Sequence, residues 1–211
     1  LLRMPVPVSM PFADVYARAI LDLEYWQGAE ALAELARQYT VRSAGLWEAI
    51  GIAGARAGNL ELANEALVVL SDMGGDPASQ GAISARHVEG LIHLAQGHNE
   101  IALRLLAEAA QLNWEQPVTL LGVPPRPLKP TMELYAETLL QVGEAAEALI
   151  QFELALTRYS GRTNLMLGAA RAAEQVGDTE LAQGYYRRLA DIWNGADSNH
   201  PFAAEVRSKV N

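Results

Sequence analysis

Apolar and small residues return in one frame along the second half of the chain. Met132, Tyr135, Ala136 and Leu139 keep helical spacing, Gly143 breaks it, and Ala148, Phe152 and Ala155 resume it. Thirty-four residues further on, the same frame holds Met166, Ala169, Ala170, Ala173, Gly177, Ala182, Tyr186 and Leu189. Two earlier copies are set by their own glycines. Around Gly58 stand Trp47, Ile50, Gly51, Gly54, Ala63, Leu67 and Leu70; around Gly97 stand Gly90, His93, Ala102, Leu106 and Ala109. Each copy therefore predicts two helices joined by a glycine turn that favours a left-handed backbone. The pairs fall at 44–57 with 60–73, 80–96 with 99–112, 130–142 with 144–159, and 162–176 with 178–192. A weaker pair, 12–26 with 29–39, precedes them: Gly28 and Ala33 fit the frame, but Leu21 stands where the others carry a small residue. Phe202–Lys209, after Pro201, reads as a terminal capping helix.

The small residues predict close helix approach. Gly51, Gly90, Ala136 and Ala170 share one point of the first helix, and Ala63, Ala102, Ala148 and Ala182 are expected to face them from the second. Phe152 and Tyr186 are expected to fill the space between neighbouring repeats. The spacing departs twice from 34 residues. Gly58 to Gly97 is 39 residues, adding a loop at Gly74-Gly75-Asp76-Pro77. Gly97 to Gly143 is 46, and the extra stretch from Trp114 to Pro130 holds Pro117, Pro124, Pro125, Pro127 and Pro130. Those prolines forbid a continuous helix. Trp114, Val118, Leu120, Leu121, Val123 and Leu128 make the stretch apolar, so it is expected to lie as an ordered strap against the concave side. The segments are then 1–43, a degenerate helix pair; 44–113, two repeats; 114–130, the proline-rich insertion; 131–194, two regular repeats; and 195–211, the cap, all in one continuous solenoid.

Trp47-x2-Ile50-Gly51 and Ala148-x3-Phe152 carry a resemblance to the tetratricopeptide repeat family, whose pattern is Trp-x2-Leu-Gly-x2-Tyr followed by Ala-x3-Phe. The resemblance covers 44–194 well and 1–43 poorly. It implies an all-α fold, an α-α superhelix of about five helix pairs with a C-terminal capping helix. It also implies a concave groove lined by the first helices of the pairs. The groove positions map onto Glu48, Ile52 and Arg56; His87 and Leu91; Glu133, Glu137 and Gln141; and Asn164, Leu167, Arg171 and Glu174. Glu133 and Glu137 replace the basic and amide residues by which chaperone-binding members of that family clamp a peptide carboxylate. A mixed basic and apolar segment is therefore a better ligand than an acidic tail.

Composition narrows the function without naming it. Alanine occupies 36 positions, which favours closely packed helices. Sixteen basic against 25 acidic residues give a net charge of −9, which repels a phosphate backbone, so nucleic acid is not an expected partner. No apolar run is long enough to span a bilayer, and a soluble chain is expected. Cysteine is absent, which excludes disulfides and thiolate chemistry. Leu1 in place of Met, with no basic-then-apolar leader before Met10, reads as a fragment or processed form, with the cytoplasm favoured over the periplasm or export.

Candidate chemistry is sparse. His87 and His93 are six residues apart, which does not set them on one helix face as a metal pair; His98 falls in a turn and His200 near the end. No metal or cofactor is expected. Glu133 with Glu137, and Glu144 with Glu147, read as solvated helix faces rather than acid–base pairs. Gly51-x2-Gly54 lacks the following Lys-Ser or Lys-Thr of a phosphate loop, and no serine sits in a Gly-x-Ser-x-Gly context. The expected function is a non-catalytic scaffold that binds a segment of another protein in the groove. A ligand receptor or enzyme using a pocket between repeats and insertion, and a self-associating module, are the rivals.

Overall fold

The glycine turns form as the frame predicts. Gly58, Gly97, Gly143 and Gly177 all have positive φ, between 78° and 93°. That region penalises a Cβ, so glycine lets each chain reverse within two residues. In the computed structural model, which describes residues 10–38, 41–116, 127–196 and 200–210, these turns separate helices throughout, and no strand occurs among the described residues. The helices are α1 (Met10–Asp22), α2 (Ala29–Gln38), α3 (Ala44–Arg56), α4 (Leu60–Met73), α5 (Gln80–Ala95), α6 (Asn99–Trp114), α7 (Thr131–Gln141), α8 (Ala145–Arg158), α9 (Thr163–Val176), α10 (Thr179–Ile192) and α11 (Ala203–Val210). The fold among the described residues is all-α, with helices packed on their neighbours along the chain in α1–α6 and again in α8–α11. None of the helices is long and apolar enough to cross a membrane.

Two compact units divide the chain, 1–131 and 132–211. In the first, α3 packs on α4 and α5, α4 on α5, and α5 on α6. Helix starts are fixed by side chains that satisfy otherwise orphaned amides. Ser43, Asn59 and Ser79 accept from Leu46, Leu62 and Ala82 respectively. Every residue of α3 from Ala44 to Ala55 is buried. Thr131 donates to Asn113 of α6, and Gln116 donates to the carbonyl of Ala78.

The N-terminal pair departs from the repeat for the reason its sequence gives. Leu21 is fully buried where a small residue would let the two helices meet. Helices α1 and α2 touch each other little and pack chiefly on α3. Helix α1 also ends four residues before its expected limit. Glu24 takes a positive φ of 52°, and a single 3-10 turn at Trp26–Gly28 leads into α2. Arg37 of α2 then grips Glu65 of α4 through two hydrogen bonds of 2.9 and 2.5 Å.

Small residues serve closest approach, with some partners other than those expected. A Cβ on Gly51 would stand 2.4 Å from Val88 of α5, so Gly51 seats the next repeat's first helix more than its own second helix. Gly54 instead meets the backbone of Ala63. Gly90 faces Leu106 and the carbonyl of Ala102, as the frame predicts.

In the second unit α8, α9, α10 and α11 pack in sequence. Phe152 fills the space between repeats, fully buried, with its ring against Gly168 of α9. Helix α11 covers the last repeat: Phe202 and Val206 join Leu167, Ala170, Ala173, Tyr186 and Leu189 in one apolar cluster. Pro201 and Phe202 lie in the turn before α11, which begins at Ala203. Residues 117–126, the centre of the expected strap, lie outside the described residues.

Candidate interaction site

The groove positions of the first unit are interior except for Arg56. Because Gly51 admits Val88, α5 lies close on α3 and the neighbouring His87 meets Glu48. Nδ1 of His87 and Oε1 of Glu48 are 2.5 Å apart, and both side chains are 0% exposed. Nε2 of His87 and Oε2 of Glu48 have no hydrogen-bond partner among the described residues. A buried polar pair of this kind is costly to break from one side, since the survivor loses its hydrogen-bond partner without regaining water. Ile52 and Leu91 are also buried, while Arg56 keeps partial exposure.

In the second unit the groove positions are largely engaged within the chain. Glu133 is fully buried and takes both arms of the Arg162 guanidinium at the start of α9, one of them at 2.9 Å. Arg171 holds Glu205 of α11 through bonds of 2.9 and 2.5 Å and lies 5.6 Å from the centre of the Phe202 ring. Glu174 pairs with Lys209 of α11 and accepts from the Tyr186 hydroxyl at 3.2 Å. The Lys209 ammonium holds the Glu174 carboxyl below its ordinary value. Tyr186 moves the other way, its phenol raised first by burial and then by Glu174. Leu167 is buried in the α11 cluster. Glu137 and Asn164 are partly exposed and Gln141 is exposed, each already engaged by other groups.

The positions deduced from the family pattern thus gather into three internal contacts: Glu48 with His87, Glu133 with Arg162, and Arg171 and Glu174 with α11. A linear frame shows which residues share a helix face. It does not show that a later segment will cover that face.

The outer face of the second unit carries exposed features that the frame did not mark, since the frame assigned binding to the groove. On α8, Ala148, Phe152 and Ala155 turn inward, which leaves Ile150 and Leu154 outward at four-residue spacing, 57% and 38% exposed. Asp178, which caps α10, and Glu180, Leu181, Gly184, Tyr185 and Arg188 of α10 line a depression of about 570 Å³. A Cβ on Gly184 would meet nothing within 4 Å, so the depression is open there. The Tyr185 hydroxyl donates to Glu153 of α8 at 3.3 Å, which ties the depression to the helix that carries the apolar pair. Burial raises the Tyr185 phenol, and Glu153 adds to the effect, keeping the hydroxyl a donor. The site combines an aromatic ring, an arginine, acidic side chains and aliphatic neighbours.

No protein-family model matches the chain, and no curated protein matches it at a significant level.

Proposed function

We propose that this chain is a non-catalytic scaffold of the tetratricopeptide type, and that it holds a segment of another protein on the outer face of its second unit. The observation that carries this reading is the Tyr185–Glu153 hydrogen bond, which links the depression to α8, the helix that exposes Ile150 and Leu154. Interface energy concentrates in aromatic and arginine side chains within a desolvated patch, with apolar neighbours that exclude water. Tyr185 and Arg188 supply the first kind of residue, and Ile150, Leu154 and Leu181 the second. Glu153, Asp178 and Glu180 outnumber Arg188, and the chain carries −9 overall, so the segment is mixed basic and apolar. The groove face is the weaker site, because a partner there must displace the chain's own pairs at Glu133, Arg171 and Glu174.

A photocrosslinking side chain tests the assignment when introduced at Ile150 in one variant and at Gln141 in another. Capture of a partner from Ile150 but not from Gln141 is expected, with loss of capture when Leu154 is also changed to Glu. The reverse pattern moves the site to the groove. Crosslinking of Ile150 to a second copy of the chain replaces the scaffold reading with self-association.

A further inference from the structure

The four glycine turns share a hydrogen bond that sets two side chains next to each other. The amides of Asn59, His98, Glu144 and Asp178 each donate, at 2.9 Å, to the carbonyl of the residue five positions earlier: Gly54, His93, Leu139 and Ala173. In this helix-ending geometry the two residues so linked usually make an apolar contact. At Gly97 both are histidines. The residue after the glycine also begins the next helix, and Asn59 and Asp178 use their side chains to cap it, accepting from Leu62 and Leu181 at 3.1 and 3.0 Å. His98 makes no capping bond. Its ring turns back toward His93, with Nδ1 3.3 Å from the Nδ1 of His93 and ring centres 5.6 Å apart; His98 is exposed and His93 partly so.

Two converging imidazole nitrogens can share one proton or one metal ion. The 3.3 Å spacing lies at the long end for a hydrogen bond between the two rings. Zinc binds imidazole nitrogen at about 2.0–2.1 Å, and two such nitrogens on a tetrahedral ion lie about 3.3–3.4 Å apart. The backbone holding the two residues is fixed by the turn, so little ordering remains to be done on binding. We propose that His93 and His98 form a two-histidine site for a late first-row divalent ion such as zinc, each donating through Nδ1. No third His, Asp or Glu joins them in a metal-holding group among the described residues. The two remaining positions on the ion go to water or to a donor from another molecule. Calcium and magnesium, which take oxygen ligands, do not fit this pair.

The site stands apart from the outer-face reading, and its test does not need a partner. The full chain is titrated with zinc chloride in a calorimeter, and its melting temperature is followed with and without the metal. His98→Asn is the informative variant, because asparagine is the residue that caps the equivalent helix at Asn59 and so preserves the fold. His93→Gln is the second variant. The parent is expected to bind one zinc ion that both variants lack, with a melting temperature that rises with zinc in the parent and stays level in the variants. Magnesium chloride is expected to move none of them. Equal zinc binding by the parent and His98→Asn overturns the proposal, as does a parent that shows no zinc heat and no thermal shift.

Discussion

At the residue scale, close approach and the buried Glu48–His87 pair give the sharpest tests. A Cβ at Gly168 would lie 2.3 Å from the Phe152 ring, and one at Gly51 would lie 2.4 Å from Val88. Neither ring nor β-branched side chain has room to withdraw, since Phe152 and Val88 are fully buried. Gly168→Ala and Gly51→Ala are each expected to destabilise the fold by about 1–3 kcal/mol in urea unfolding. Ala148→Leu, at another fully buried small position, is expected to cost a similar amount, about 1–3 kcal/mol. Values near zero would mean that the helices are less closely set than described. The Glu48–His87 pair predicts non-additivity. His87→Ala or Glu48→Ala alone leaves the survivor buried and uncompensated, at a cost of about 3–5 kcal/mol. Replacing both by apolar residues of similar volume, Glu48→Met with His87→Leu, is expected to restore most of that loss. A double variant as unstable as the sum of the singles would show that the two side chains do not act as a pair.

The element most open to perturbation is α11. Phe202 and Val206 anchor it in the apolar cluster, while Arg171–Glu205 and Glu174–Lys209 fix its register from the rim. Glu174 has a carboxyl held below its ordinary value of 4.5 by Lys209. A depressed carboxylate stabilises the folded state above the ordinary value, and that contribution is lost as pH falls through the lowered one. Acidification from 4.5 downward is therefore expected to loosen α11 before the other helices, and Glu174→Gln to remove that part of the pH dependence. Both partners are open to solvent, so the contribution is below about 1 kcal/mol, and amide exchange across 203–210 measures it better than global unfolding. If Glu174→Gln leaves the pH profile of these amides unchanged, the pair does not hold the helix. Helix limits were legible to within a few residues because capping residues and glycines mark them locally. The early end of α1 was not, since nothing in the residue type marks Glu24 for a left-handed backbone.

Across the whole molecule, burial is uneven in a way that hydrogen exchange reads directly. Helix α3 is buried along its length from Ala44 to Ala55 and packs on α1, α2, α4 and α5, whereas α11, at the end of its unit, leans chiefly on α10. Amides of α3 are expected to exchange most slowly and those of α11 and α1 fastest, because each helix is stabilised mainly by its neighbours. Uniform exchange throughout would contradict that dependence. The sequence by itself determined the all-α class, the helix pairs and the positive-φ glycines, because helical period, small-residue register and turn chemistry are local properties carried by a few neighbouring residues. Only the tertiary structure decided which polar groups meet. Glu48 and His87 are 39 residues apart, Glu133 and Arg162 are 29, and Arg171 and Glu205 are 34. A repeating frame assigns a residue to a face of its own helix, but whether that face stays open depends on the helix that arrives later and on the side chains it brings.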